Sequence, residues 1–289
     1  MSRPYPTTKG HALATRLRHG LITLAAVAMF SPAAAQSGDD FGIWTDISAE
    51  KKLNKQFSVE GGVGFRAEND LASFTRWDVS LGLGYKPIKG LKFSAGYVYM
   101  YDRSLQEVKE RYNSRGEING YNVDHGYWRS KHRGWFDVTG KVGFGRFSVS
   151  LRERYQYTHT MATETMRDKY RNPKQPGYTG ETYPMGGMEF MTFSQEMDQK
   201  GHKNAHYLRS RLLVSYNVRG VPLEPFVSYE LSNSLTDGFS LDKRRFSVGA
   251  DYKIKKKYKI SLAYLYQNGA DDDSADDIHV IDLGFKVEF

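Results

Sequence analysis

The 289-residue chain has no cysteine, which excludes disulfides, a thiolate nucleophile and Cys-based zinc sites. Long apolar runs are also scarce, residues 21–30 forming the longest. A helical membrane span needs about 20 consecutive apolar residues, so a helical membrane protein is excluded. A membrane as such is not, because in a transmembrane barrel only every second residue faces lipid and the average hydropathy stays low. A strong charge imbalance is missing too. The formal +8 comes from 41 basic and 33 acidic residues, but Arg3, Lys9, Arg16 and Arg18 lie in an acid-free segment, residues 1–35. Without those four, 37 basic residues face 33 acidic ones, a net charge of +4, and nothing points to a nucleic-acid partner. What is abundant is glycine, tyrosine and phenylalanine (28, 20 and 16 residues), a composition suited to curved sheets with aromatic girdles.

The first 35 residues have the three parts of a secretory leader. A basic stretch precedes the apolar run Leu21–Phe30, Ser31-Pro32 breaks it, and Ala33-Ala34-Ala35 supplies small residues for cleavage after Ala35. Ten apolar residues are too few for an anchor, and with no cysteine the chain is not a lipoprotein. Residues 36–289 are then one exported domain.

That domain alternates with period two, the mark of half-buried strands. From Phe57 to Ala67 the odd positions are apolar or small, while Ser58, Glu60, Arg66 and Glu68 lie on the other face. Trp77, Val79, Leu81, Leu83 and Tyr85 form the next outward stripe, opposite Arg76, Asp78 and Ser80. Leu91 to Tyr101 continues the pattern. Further segments are 41–52, 135–144, 147–158, 207–218, 223–232, 244–254, 258–267 and 278–289. Each is about as long as a tilted strand needs to cross a bilayer. Short turns alternate with longer polar loops at 102–133, 159–203, 233–242 and 268–277. The expectation is an all-β, antiparallel up-and-down transmembrane barrel with short periplasmic turns and long extracellular loops. Eleven segments are found. Because single-chain bacterial barrels have even strand numbers, about twelve strands are expected, with ten the alternative and Met188–Ser194 a candidate for the missing one. The chain closes on Leu283–Phe289, an alternating strand whose terminal Phe289 fits an assembly signal read by the barrel-assembly machinery.

The inward stripe is dense in charge. Arg66, Arg76, Asp78, Asp137, Arg152, Arg154, Arg209, Arg211, Glu230, Arg245, Asp251 and Asp282 are expected to line the lumen, together with Asp46, Glu50, Glu60, Glu68 and Lys286. Nearly balanced signs fit a ladder of cross-strand ion pairs, since unpaired buried charge is costly; a charged constriction selecting ions or small polar solutes is the sharper reading. Glu153 breaks the alternation between Leu151 and Tyr155, and a β-bulge or a place near the outer rim would relieve it. Of the histidines, His125, His132, His159 and His202 fall in or beside long loops, and His206 and His279 near the membrane interface. No Gly-x-Ser-x-Gly elbow accompanies them, so no catalytic residue is assigned. Six of the nine methionines, Met161, Met166, Met185, Met188, Met191 and Met197, cluster in 159–203. Thioethers suit Cu(I), but they also pack adaptably, and packing or partner contact is the expectation; neither metal nor cofactor is assigned. The acidic loop 271–277 lacks calcium-loop spacing.

The opening Phe41-Gly42-Ile43-Trp44-Thr45-Asp46, the pairs Arg152/Arg154 and Arg209/Arg211, Pro225-Phe226-Val227-Ser228-Tyr229-Glu230, and Arg245 with Gly249 and Tyr252 resemble an uncharacterised bacterial outer-membrane family, the domain of unknown function numbered twenty-four-ninety. The resemblance implies a barrel in the outer membrane, with the bilayer and lipopolysaccharide as its surroundings, and implies no catalytic residue. The expected function is a structural or transport barrel with no specific role assigned, a narrow channel for ions or small polar solutes being its sharper form; a surface binding or adhesion protein acting through its loops, and an outer-membrane hydrolase, are the alternatives.

Overall fold

The computed structural model describes residues 39–255, 257–269 and 277–289. The leader, and the acidic loop apart from Asp277, lie outside the described residues. Sixteen strands follow one another: β1 (Asp40–Lys52), β2 (Phe57–Glu68), β3 (Ser73–Ile88), β4 (Leu91–Ser104), β5 (Glu107–Tyr112), β6 (Ile118–Asp124), β7 (Tyr127–Phe144), β8 (Phe147–Thr160), β9 (Thr163–Pro173), β10 (Tyr183–Met185), β11 (Met188–Lys200), β12 (Lys203–Tyr216), β13 (Leu223–Ser234), β14 (Ser240–Ile254), β15 (Tyr258–Asn268) and β16 (Asp277–Glu288). Eleven of them close into a barrel in the order β1-β16-β15-β14-β13-β12-β8-β7-β4-β3-β2.

The number is eleven, close to the twelve expected, and the odd count has a geometric solution. Strands β1 and β16 both run toward the end carrying the short turns, so they pair in parallel, from Asp40↔Ile278 to Glu50↔Glu288. Parallel pairs are slightly weaker per residue than antiparallel ones. Here the seam is continuous over its whole length, and it is tied off by Phe289 N–H to Glu50 O (2.8 Å) and Lys52 N–H to Phe289 O (3.2 Å). Phe289 itself stays largely exposed, with the Lys257 ammonium 4.8 Å from its ring centre.

The two faces of the wall are inverted relative to a soluble protein. Outward residues such as Leu81 and Leu83 are 60% and 62% exposed, and Val142, Leu151, Leu212 and Ile260 follow the same pattern. Inward residues are polar and buried, including Glu230, Asp137, Asp102, Gln156 and Gln267. A continuous apolar exterior of this extent has no counterpart on soluble monomers; it is the surface that lipid covers. Aromatic pairs bound it at both ends. Phe57–Tyr85, Phe147–Tyr216 and Tyr258–Phe285 sit near the short turns. At the other end, Tyr97, Tyr155 and Tyr264 hydroxyls lie 2.5, 2.7 and 2.5 Å from Nδ1 of His132, His206 and His279. From Phe147 to Tyr157 the strand spans roughly 33 Å, or about 25 Å once tilted, the height of an outer-membrane apolar band.

Two segments expected to be long loops are folded. Residues 105–126 and 161–202 contribute β5, β6, β9, β10 and β11 to a second sheet of order β10-β11-β9-β6-β5. The order is informative: β5, β6, β9 and β11 repeat that of their chain neighbours β4, β7, β8 and β12. Four adjacent barrel strands therefore interrupt their ladders at the same level and resume beyond the rim as an outer sheet. Arg129 fastens the break, donating from Nε to Met161 O (3.1 Å) and from Nη2 to Gly201 O (2.6 Å). A second tie is the buried Asp124 carboxylate, which takes Arg167 and Lys200 (2.7 Å). Ion pairing to Arg167 and Lys200 holds Asp124 well below the usual carboxylate range, against burial, which acts the other way. Phe190, Tyr121 and Val123 form this sheet's apolar core. The Gly186-Gly187 turn between β10 and β11 has positive φ at both residues, as a two-residue hairpin requires.

Candidate functional site: a basic vestibule in the barrel lumen

Alternation places all twelve sequence-selected charges on the lumen face, but it does not distribute them evenly. Near the outer-sheet end a cavity of about 740 Å³, counting the solvent open to it, is walled by Arg66 (β2), Arg76 (β3), Lys131 and Arg133 (β7), Lys203 and Arg209 (β12), and Lys243 and Arg245 (β14). Gln156, Thr158, Thr160, Tyr207 and Ser232 fill the gaps between the cations, and Asp242 is the one acid in the lining among the described residues.

Three carboxylates serve these cations. Asp102 takes both arms of Arg76 (2.5 and 2.7 Å) and Lys131 (2.9 Å). Glu230 takes Arg209 (2.5 Å) and Arg152 (2.7 Å), with Arg245 at 3.6 Å. Asp242 lies 3.7 Å from Lys243. The remaining cations use other chemistry. The Arg66 guanidinium sits 3.8 Å from the centre of the Trp44 ring, and Arg245 approaches the same ring at 5.4 Å. Cation–π contacts of this kind hold a guanidinium without neutralising it. Trp44 is itself fixed by its indole N–H to Glu68 (2.9 Å) and by packing with Leu265, Ile278 and Val280. Arg133 donates from Nε to Thr158 Oγ1 (3.2 Å).

Two residues further along β1 and β3 the sign changes. Asp46 and Asp78 face the lumen there, and Asp282 joins them from β16. Among the described residues none of the three has a cation within ion-pairing distance. Asp46 lies between Gly64 and Gly284 in register, and it is exposed, so the lumen has open space at this level. Trp135 enters the lumen from β7, packed so close to Gly82 and Gly96 that a Cβ on Gly96 would lie 2.5 Å from its ring. Arg154 covers that ring at 4.2 Å while pairing with Asp137 (2.6 Å). Arg211 lies directly opposite both Glu230 and Arg152 in register. Closer to the short turns the charges pair off: Lys286 with Glu50 and Glu60 (both 2.7 Å), Lys253 with Glu224 (2.7 Å), and Lys259 with Asp251 (3.2 Å).

Sequence reasoning missed Asp102, Lys131, Arg133 and Lys243, which it left in or beside loops. The signal was present: Arg129, Lys131, Arg133, Trp135 and Asp137 alternate without a break. Glu153 is accommodated by neither a bulge nor a shift, since β7/β8 and β8/β12 are in continuous register. Instead Ser210, opposite it on β12, donates to its carboxylate at 2.6 Å. His125, between β6 and β7, bonds to Asp168 (2.9 Å), and His159, near the end of β8, bonds to Asn204 (2.7 Å). The methionine triplet is not one donor set. Met185 and Met188 oppose each other beside the hairpin turn, whereas Met191, an odd number of residues from Met188, projects from the other face.

A family model described as "Protein of unknown function (DUF2490)" matches residues 41–278. The chain belongs to this family. The match runs from the β1 strand that begins the parallel seam to the start of β16, so the family covers nearly all of the barrel, vestibule included. No curated protein matches the sequence. Among solved structures, FpvA of P. aeruginosa, in a complex with heterologous pyoverdines, is similar at 13% identity and a TM-score of 0.32. That match covers 77% of this chain and 35% of FpvA, so the chain spans about a third of that protein's length. The Pseudomonas putida toluene transporter TodX is similar at 9% identity and a TM-score of 0.36, over 83% of this chain and 87% of TodX.

Proposed function

We propose that this member of the DUF2490 family is an exported outer-membrane barrel that passes small anionic solutes through a narrow, water-filled lumen, without catalysis. The leader supports export, and the apolar wall between aromatic belts supports a bilayer, with lipopolysaccharide on the outer-sheet side. The alternating C-terminal strand ending at Phe289 suits recognition by the barrel-assembly machinery. The observation that carries the reading is the vestibule: eight cations converge from five strands on one cavity, and among the described residues three carboxylates lie within ion-pairing reach of them. Low-dielectric walls focus the field of such a cluster, raising the local anion concentration and excluding cations.

Reversal potentials of the purified protein in planar bilayers, under a potassium chloride gradient, test this. The expected shift is toward the chloride equilibrium potential. Replacing Lys131 and Arg133 together by glutamate moves it toward potassium. Folded protein that conducts nothing, or conducts without ion preference, refutes the reading.

A further inference from the structure

We propose that the vestibule is a seat for a small solute carrying at least two oxyanion groups, carboxylate or phosphate. This rests on reading the lumen as open to solutes from the outer-sheet side. A charged funnel needs only net sign; this cavity has more specific features. Arg66 and Arg133 belong to β2 and β7, strands separated by β3 and β4 in the barrel order, and no described carboxylate lies within ion-pairing distance of either. Both are oriented nonetheless, Arg66 by the Trp44 ring and Arg133 by Thr158 through Nε. That leaves terminal guanidinium nitrogens available, the edge that reads carboxylate or phosphate in a two-pronged contact.

The cost of the arrangement points the same way. Like charges gathered in a partly dry cavity repel one another, and Arg66 and Arg133 stand among them with no described carboxylate at ion-pairing distance. A solute with one negative group relieves one wall; a solute with two spaced groups relieves both. Neutral donors beside the cations, Gln156 and Thr160 among them, line the same cavity and suit hydroxyl or amide parts of a ligand. Below it, the unpaired Asp46, Asp78 and Asp282 repel an anion that moves inward, so the electrostatic minimum lies in the vestibule and not at mid-lumen.

Inorganic pyrophosphate is the probe, titrated calorimetrically into the whole barrel in detergent, with phosphate and chloride alongside. Pyrophosphate is expected to bind at least about tenfold tighter than phosphate. Arg66→Gln and Arg133→Gln are each expected to weaken it by at least about tenfold, the scale of one charge-assisted contact. Lys174→Gln, in the outer sheet, is expected to leave it unchanged. Heat-modifiable gel mobility checks that each variant is folded. In bilayers, block of the current by pyrophosphate from the outer-sheet side alone gives a readout on the unmodified protein. Absence of pyrophosphate binding, or affinity in both arginine variants unchanged from that of the unmodified protein, overturns the seat. Binding without conductance keeps the seat and removes the passage; anion conductance without binding does the reverse.

Discussion

The outer and inner halves of the lumen are built from the same strands by the same alternation, yet they handle charge differently. Toward the short turns, acids find bases on nearby strands, as Glu50 on β1 and Glu60 on β2 find Lys286, although Lys92 and Lys141 have no ion-pair partner among the described residues. Toward the outer sheet, cations share carboxylates, and among the described residues none lies within ion-pairing distance of Arg66 or Arg133. Burial alone does not explain the difference, since both halves contain buried acids. Stability alone would favour one-to-one pairing throughout, because exposing a cation to its like costs free energy that a partner removes. The paired half behaves as structure, and the unpaired half is where a solute's charge has something to complete.

The comparison breaks most visibly at Glu230. Its carboxylate holds Arg209 and Arg152 directly and Arg245 at longer range, and it is 6% exposed. Glu230→Gln keeps the shape but leaves three guanidiniums without their common counter-ion. The expected loss is about 3–5 kcal/mol, read as a lowered urea midpoint in vesicles. A loss below about 1 kcal/mol would mean that water, not Glu230, compensates these arginines.

Packing gives the next effect. Gly96→Ala puts a methyl 2.5 Å from the Trp135 ring and 2.6 Å from Leu81 O, and the backbone oxygen cannot swing aside. A cost of about 1–3 kcal/mol is expected, with conductance reduced because Trp135 must move into the passage. Gly134→Ala, which would meet nothing nearby, is the control.

The outer sheet responds to pH instead. Asp124 is held below the ordinary carboxylate range by Arg167 and Lys200, so it binds fewer protons folded than unfolded. Its stabilisation is therefore complete above the ordinary value of about 4 and is lost as pH falls through the depressed folded value. Amide exchange in 163–173 and 188–200, corrected for intrinsic rate, is expected to quicken by about tenfold at the acid end. In Asp124→Asn that pH response disappears, while the barrel amides are unchanged in both.

The same contrast marks what was legible in the sequence. Where the outward face is apolar, alternation located every barrel strand and the inward position of Arg66, Arg209 and Glu230. Past the hydrocarbon level, outward positions become Ser130, His132 and Arg103, the apolar–polar contrast fades, and strands were ended too early. That is why the sequence pattern alone puts Lys131, Arg133 and Asp102, at the heart of the vestibule, in a loop. The outer sheet was hidden for the same reason, with both faces of much of it wet; Gly186-Gly187 and the Met188–Ser194 segment were its visible traces. Strand parity was hidden differently. A parallel seam between β1 and β16 leaves no mark on either strand's own alternation, so counting segments reached eleven and only the even-number rule argued for more.

The smallest expected effect sharpens the comparison most. Asp46 faces the lumen with no ion-pair partner among the described residues and is exposed there. If the inner half were a structural ladder throughout, removing this carboxylate would cost as much as removing one from the paired set. Since nothing is paired to it, Asp46→Asn is expected to change stability by no more than about 0.5 kcal/mol. Its role in the field is separate. The carboxylate stands two residues inward of Trp44, on whose ring Arg66 rests, and repels the anion the vestibule attracts. Neutralising it should lower that step, raising anion current while leaving the urea midpoint in place. A variant with a shifted midpoint and unaltered current would place Asp46 among the structural charges, and the boundary between the two halves would have to be drawn elsewhere.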